Sequence, residues 1–257
     1  MKVLVISPLA SHQPTGGAKR RIYNLLWHLK HEGHEVHFAY TCHEQVNHAG
    51  AAQQMAEDWD SVELIPYTGD YTKTQGEDFG VDDWIEPGSG ERIAEICDTL
   101  KPDIVLIQYV FQSYYCDYIP AHIPKVIDAH DKLSRRKLFE DAGMEAGFFY
   151  TTEEEELKGF ARADLILSIQ DGEASYFAKS GKPVVVAGHF DDTRFVDRRF
   201  DSLQKMGVVA AYNKFNIHAL EHALPPLLER LDALDSAVEI HIGGNVARAI
   251  EIEHPRL

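Results

Sequence analysis

The sequence predicts an α/β protein: one doubly wound, mostly parallel Rossmann-like sheet followed by a partial second α/β lobe. Three observations predict it. Short aliphatic runs alternate with helix-periodic segments, giving about seven strands by residue 187, the rhythm of strands fed by crossover helices. Those runs are apolar almost throughout, as strands covered on both faces must be. The rhythm then restarts after Gly188, dividing the chain into domains 1–188 and 189–257.

Lys2–Ser7 is the first buried strand, and a Gly/Pro-bearing loop runs from Pro8 to Gly17. Ala18–His31 carries Ile22, Leu25, Leu26 and Leu29 at helical spacing, with Gly33 as its C-terminal cap and Glu35–Thr41 as the next strand. This completes a βαβ unit. Ser61–Pro66 is a third strand. Tyr67–Gly88 is polar and acidic and reads as a long loop or flap, the alternative for a loop of this length being a mobile surface insertion. A helix over Gly90–Leu100 precedes strands Asp103–Ile107 and Lys125–Ala129. Glu153–Ala163 is a helix whose four opening glutamates, Glu153–Glu156, form a solvated first turn that complements the helix dipole. Asp164–Ser168 (strand), Asp171–Lys179 (helix) and Pro183–Ala187 (strand) follow.

In the second lobe Gly207–Tyr212 reads as a strand and Asn216–Leu231 as an amphipathic helix (Leu220, Leu224, Leu227, Leu228, Leu231). A strand over Val238–Ile242 ends in Gly243-Gly244. One βαβ unit buries little apolar surface. The expectation is therefore an unfinished Rossmann-like domain with an exposed apolar helix face and open sheet edges that invite a second copy or a complementing chain.

Lys and Arg number 25 against 41 Asp and Glu, a net charge of −16 with histidines neutral. Such a surface repels nucleic-acid phosphates. The compact basic groups are Lys19-Arg20-Arg21 and Lys132…Arg135-Arg136-Lys137. Cys42, Cys97 and Cys116 form no CxxC pair, and no apolar run reaches the length of a membrane span or a signal-peptide core. A reduced, cytoplasmic protein is expected.

The first candidate site is the loop Pro14-Thr15-Gly16-Gly17-Ala18-Lys19-Arg20-Arg21. Unpaired N–H groups at a helix start hold phosphate or carboxylate, and glycines admit the ligand to the backbone; the alternative is a tight turn without a ligand. The GxGxxG spacing is absent, Tyr40-Thr41-Cys42 stands where a ribose-binding acid belongs, and GxxxxGK[ST] is missing, which removes dinucleotide and P-loop readings. The second candidate is Asp128-Ala129-His130-Asp131-Lys132. It ends a predicted strand, at the edge where open α/β sheets bind ligands, and an imidazole there can bond a sugar hydroxyl or move a proton; capping of the next turn is the alternative. His28, His31, His34 and His37 recur every third residue but straddle a helix end and a strand start, so convergence on a metal is not expected.

Taken in order, Lys2-Val3-Leu4-Val5-Ile6-Ser7…Gly16-Gly17…Leu25-Leu26…Leu29…Gly33-His34-Glu35-Val36, Pro102–Leu106, Val126–Asp131 and Ala163–Ile169 resemble GT-B-fold glycosyltransferases of the group 1, family-four type. Val208–Leu228, with Asn216 and Pro225, is similar to the start of that family's nucleotide-sugar domain. The resemblance implies transfer of a sugar from a nucleotide-sugar donor to a saccharide or lipid-linked acceptor, without a cofactor or required metal. It places Gly16 and Gly17 against donor phosphate or acceptor and His130 against the transferred sugar, with Asp131 and Lys19 beside them.

Two departures stand out. The family's second-domain strand leads into an arginine and then a lysine that pair with the leaving diphosphate; here it reads Ala210-Ala211-Tyr212-Asn213, then Lys214. The family's later glutamate-rich donor motif has no counterpart by Leu257. The expectation is thus a chain truncated in its donor half, with weak or absent donor binding. Such a chain is an enzyme inactive alone, a non-catalytic assembly partner of glycan synthesis at the inner face of the membrane, or a nucleotide-sugar epimerase or phosphorylase of the same architecture.

Overall fold

In the computed structural model the described residues are 1–14, 16–44, 46–69, 72–138, 149–191, 195 and 202–257. Thr15 of the glycine loop, Asp70 and Tyr71 of the acidic segment, and residues 192–194 and 196–201 of the second lobe lie outside them. The chain divides into two compact units, Met1–Asp191 and Asp192–Leu257.

Seven parallel strands build the first unit: β1 (Lys2–Ser7), β2 (Glu35–Tyr40), β3 (Ser61–Leu64), β4 (Ile104–Gln108), β5 (Lys125–Asp128), β6 (Leu165–Ser168) and β7 (Val184–Val186). Their order is β3-β2-β1-β4-β5-β6-β7. The winding direction reverses between β1 and β4, the switch point beyond whose carboxyl ends open α/β sheets bind their ligands. Successive residues of a strand face opposite layers. Val3 and Val5 therefore pack against Ile22 and Leu26 of α1 (Gly17–His31) and Met55 of α2 (His48–Met55). Leu4 and Ile6 pack into the other layer, with Ile93 of α3 (Ser89–Leu100), Phe111 of a 3-10 helix (Val110–Tyr118), Phe160 of α4 (Glu153–Phe160) and Phe177 of α5 (Asp171–Phe177). This double burial is why β1 reads as an unbroken apolar run. Past α1, Gly33 at φ +82° gives the left-handed turn into β2 that a Cβ would strain.

Three expectations are corrected. Tyr67–Gly88 is not a loose surface insertion: Phe79 and Val81 are buried in the core, Thr151 Oγ1 donates to Phe79 O at 2.6 Å, and Arg162 forks onto Asp82. Apolar residues spaced along a polar stretch anchor it. The opening turn of α4 is not wholly solvated, because helical spacing turns Glu156 inward on the same face as Phe160 and buries it completely.

The third correction concerns the second unit, which holds β8 (Lys205–Val209), α6 (Lys214–Ala233) and β9 (Glu239–Gly243), with β8 and β9 parallel. The apolar face of α6 is covered: Leu220, Leu224, Leu228 and Leu231 are buried with Val238, Ile240 and Val246. The unit's own strand and 3-10 turn (Asn245–Ala249) supply the partner surface. All three cysteines are free and buried. Among the described residues no helix is long and apolar enough to cross a membrane.

Candidate functional site

The sheet's carboxyl edge is polar yet closed. Ser7, Gln108 and Asp128, the final residues of β1, β4 and β5, are fully buried. Just beyond the strand ends the backbone takes positive φ at three residues that are not glycine: Cys42 (+53°), Tyr109 (+68°) and His130 (+59°). A left-handed conformation costs an L-residue roughly 1–2 kcal/mol, and such strain persists where the surroundings over-determine it, often at functional sites.

Arg21 of α1 is what holds this edge together. Its Nε donates to both Asp128 carboxylate oxygens at 3.0 and 2.9 Å and its Nη2 to Oδ1 at 2.8 Å. Nη1 donates to Ala187 O at 2.7 Å and Gly188 O at 3.3 Å. A single guanidinium thus ties α1, β5 and the segment after β7. The two candidate segments are joined through this pair, since Arg21 follows Gly17 by one turn and Asp128 precedes His130 by two residues.

The His130 ring stacks on Tyr109, centroids 4.1 Å apart and 13° from parallel. Its Nε2 lies 2.6 Å from Gln108 Oε1 and 3.7 Å from Asp128 Oδ2. Burial pushes its pKa below the ordinary value; Asp128 opposes this and Arg21 reinforces it. The ring lies against Tyr109, Gln108 and Asp128, and its burial favours the neutral form.

Gly16 and Gly17 open α1. Gly16 has φ −120° and ψ 159° with no side-chain cap, and the first turn of the helix holds no acid. A Cβ added at either glycine would meet nothing within 4 Å, and neither has positive φ. Neither packing within the chain nor backbone strain calls for glycine there. Lys19 is engaged instead: its Nζ is 2.5 Å from Glu44 Oε1, while Glu44 Oε2 accepts from Ala10 N at 2.7 Å and Tyr40 Oη at 3.1 Å. A depression of about 350 Å³, lined by Gln13, Lys19, Asn47 and Gln54 among others, opens beside this pair. Asp131 points its charge to Arg136, Nη2 to Oδ2 at 2.7 Å, and its carboxylate is half exposed.

The turn after Lys132 is set by Glu156, which accepts from Leu133 N at 2.7 Å, Ser134 N at 3.0 Å and Tyr176 Oη at 2.7 Å. On the β2 side Thr41 Oγ1 lies 2.8 Å from Gln112 Oε1 and 3.1 Å from His43 Nδ1, and His43 Nε2 donates to Trp84 O at 2.7 Å. Ser11, His12 and Asp58 also line up within hydrogen-bond distance, but Ser11 is fully buried and accepts from Trp59 Nε1 at 2.9 Å, so it serves packing. The four spaced histidines diverge: His31 bonds Trp27 O, His37 bonds Ser61 Oγ, His34 faces the N-terminal amine and His28 packs on Phe190.

Sequence reasoning missed Gln108 and Tyr109, and it named Arg21 only within the glycine loop's basic group and Glu156 only as part of a solvated helix start. For Arg21 a signal existed, because it shares the apolar face of α1 with Ala18, Ile22 and Leu25, and a charge at that position needs a buried partner.

No protein-family model matches the chain, and no curated protein matches it in sequence. Solved structures match its fold. Sucrose-phosphate synthase from Thermosynechococcus elongatus is similar over 95% of this chain and 70% of its own, at 10% identity and TM-score 0.57. S. aureus MnaA, solved with UDP, is similar over 99% of this chain and 67% of its own, at 14% identity and TM-score 0.53. A protein assigned as UDP-N-acetylglucosamine 2-epimerase from Listeria monocytogenes gives the same coverage and identity at TM-score 0.52. The fold is therefore the one shared by GT-B glycosyltransferases and UDP-sugar epimerases.

Proposed function

We propose that the first unit binds a nucleotide sugar at the carboxyl edge of its sheet and takes part in moving that sugar to a saccharide or lipid-linked acceptor. The observation that carries this reading is the open pair Gly16-Gly17. Glycines that neither packing nor φ demands are explained by close approach of something outside the chain. The first-turn amides of α1, at the positive end of a 15-residue helix without a first-turn acid, suit a phosphate or carboxylate oxygen. His130, neutral and held on the same sheet edge, suits a sugar hydroxyl. Asp131 and Lys19 would join only by exchanging Arg136 and Glu44 for ligand.

A second reading, a non-catalytic sugar-nucleotide binder, is favoured by the end of β8. There Asn213 caps α6, its Oδ1 accepting from Asn216 N at 2.8 Å, where the resembling enzymes carry a diphosphate-binding arginine. Loss of one charge-stabilising contact of that type costs about 10²–10³ in rate.

Calorimetry of the full chain with UDP- and GDP-sugars tests the reading. Binding that weakens in Gly17→Ala and in His130→Gln supports it, and absence of binding to any of them rejects it. Turnover, followed as release of nucleoside diphosphate in the presence of acceptor, separates the enzyme from the binder.

A further inference from the structure

Two acceptors converge on one nitrogen of the buried imidazole. Gln108 Oε1 lies 2.6 Å from His130 Nε2 and Asp128 Oδ2 lies 3.7 Å from it. The Asp128 carboxylate is gripped by the Arg21 fork. A lone pair on Nε2 would face that negative charge, whereas a proton there is attracted by it and donated to the glutamine carbonyl. Turning the Gln108 amide over gives no better arrangement, because it would aim an N–H at an Nε2 lone pair still facing the carboxylate. Among the described residues no hydrogen bond engages Nδ1. Turning the ring over about Cβ–Cγ would keep its plane and its stack on Tyr109, but it would put Cε1 in place of Nε2 against Gln108 Oε1 and forfeit the 2.6 Å hydrogen bond.

We propose that Gln108 is a positioning residue that fixes His130 as the Nε2–H tautomer, with Nδ1 as a hydrogen-bond acceptor. The groups that face the ring divide over a second proton, and burial decides for the neutral imidazole. Arg21 from α1 opposes that proton, while Asp128 and Asp131 favour it. A neutral ring with a free lone pair accepts from a hydroxyl and repels a phosphate oxygen. The contact it makes is thus with the sugar and not with the diphosphate. That use rests on the proposed function; the tautomer does not.

The tautomer is read directly from imidazole nitrogen shifts of the ligand-free, ¹⁵N-labelled full chain, with His130 assigned by its loss in His130→Gln. The expected result is a pyrrole-like Nε2 and a pyridine-like Nδ1 at pH 7.5. In Gln108→Met the two shifts move toward each other as the tautomers mix. In Gln108→Glu the new carboxylate raises the titration of His130 by about 1–3 pH units, and both nitrogens turn pyrrole-like near neutrality. A pyridine-like Nε2 in the unaltered protein overturns the proposal. So does an unchanged tautomer in Gln108→Met, which would leave Asp128 as sufficient; if that variant fails to fold, Gln108→Asn withdraws the carbonyl and gives the same reading. Because no ligand is present, this outcome is independent of whether a nucleotide sugar binds.

Discussion

Arg21 and Asp128, 107 residues apart in the chain, meet in a buried fork in which three N–H···O contacts of 2.8–3.0 Å join the first helix to the fifth strand. Both side chains are nearly inaccessible, at 4% and 0% exposure. Breaking such a pair from one side strands a charge in low dielectric, while replacing both partners by apolar groups is far milder. Arg21→Met should lower the unfolding free energy by about 3–5 kcal/mol, and Arg21→Met with Asp128→Leu should recover most of it. Urea unfolding followed by tryptophan fluorescence checks both; equal losses in the single and double variants would show that packing and not charge dominates.

Gly17 is open on the side where a methyl would project. Gly17→Ala should leave stability unchanged or raise it by up to about 1 kcal/mol, since alanine is the better helix former. The same methyl should obstruct the first-turn amides and weaken nucleotide-sugar binding about tenfold, the loss of one good hydrogen bond to a charged group. Thermal unfolding and calorimetry on one preparation read the two effects; a loss of stability with unchanged binding would return the glycine to a purely structural role.

Lys19 is already paired with Glu44. Lys19→Met should therefore cost stability, about 1–3 kcal/mol for a pair this buried, and change UDP affinity by less than about twofold. A large loss of UDP affinity with unchanged stability would instead mean that Lys19 leaves Glu44 for the phosphate.

Two buried groups give the stability opposite pH slopes. Burial raises the Glu156 pKa above its ordinary 4.5 despite three hydrogen bonds. The folded chain then holds that proton more tightly than the unfolded one, so the contribution is complete below about 4.5 and is lost as pH rises through the folded value. Glu156→Gln, which does not titrate, should gain on the parent as pH rises from about 4 to 7. His130 has its pKa lowered from 6.5. Its contribution is complete above that value and is lost as pH falls below it, so His130→Gln should soften the acid side of the profile. Urea midpoints across the range test both, and parallel profiles for parent and variants would refute the burial argument.

The sheet was readable because a strand covered on two faces must be apolar at every position, and Lys2–Ser7 and Ile104–Gln108 are nearly so. Helix α2 was not readable: His48–Met55 buries only Met55 and carries no apolar period. The 3-10 helix Val110–Tyr118 was hidden because it buries Gln112 and Ser113 alongside Val110 and Phe111, a pattern that matches neither period.

At the sheet's carboxyl edge, sequence alone placed the glycine loop and the His-Asp segment, since each directly follows an apolar strand run. Which groups meet there was decided only in three dimensions. Parallel pairing sets Gln108 beside Asp128, while helix packing brings Arg21 to that carboxylate and Glu156 to the turn at Leu133 and Ser134; burial is what gives these ordinary polar groups their weight. Position in a strand follows from local pattern; the pairing of polar side chains in a low-dielectric interior follows from contacts between distant segments, and no local pattern encodes it.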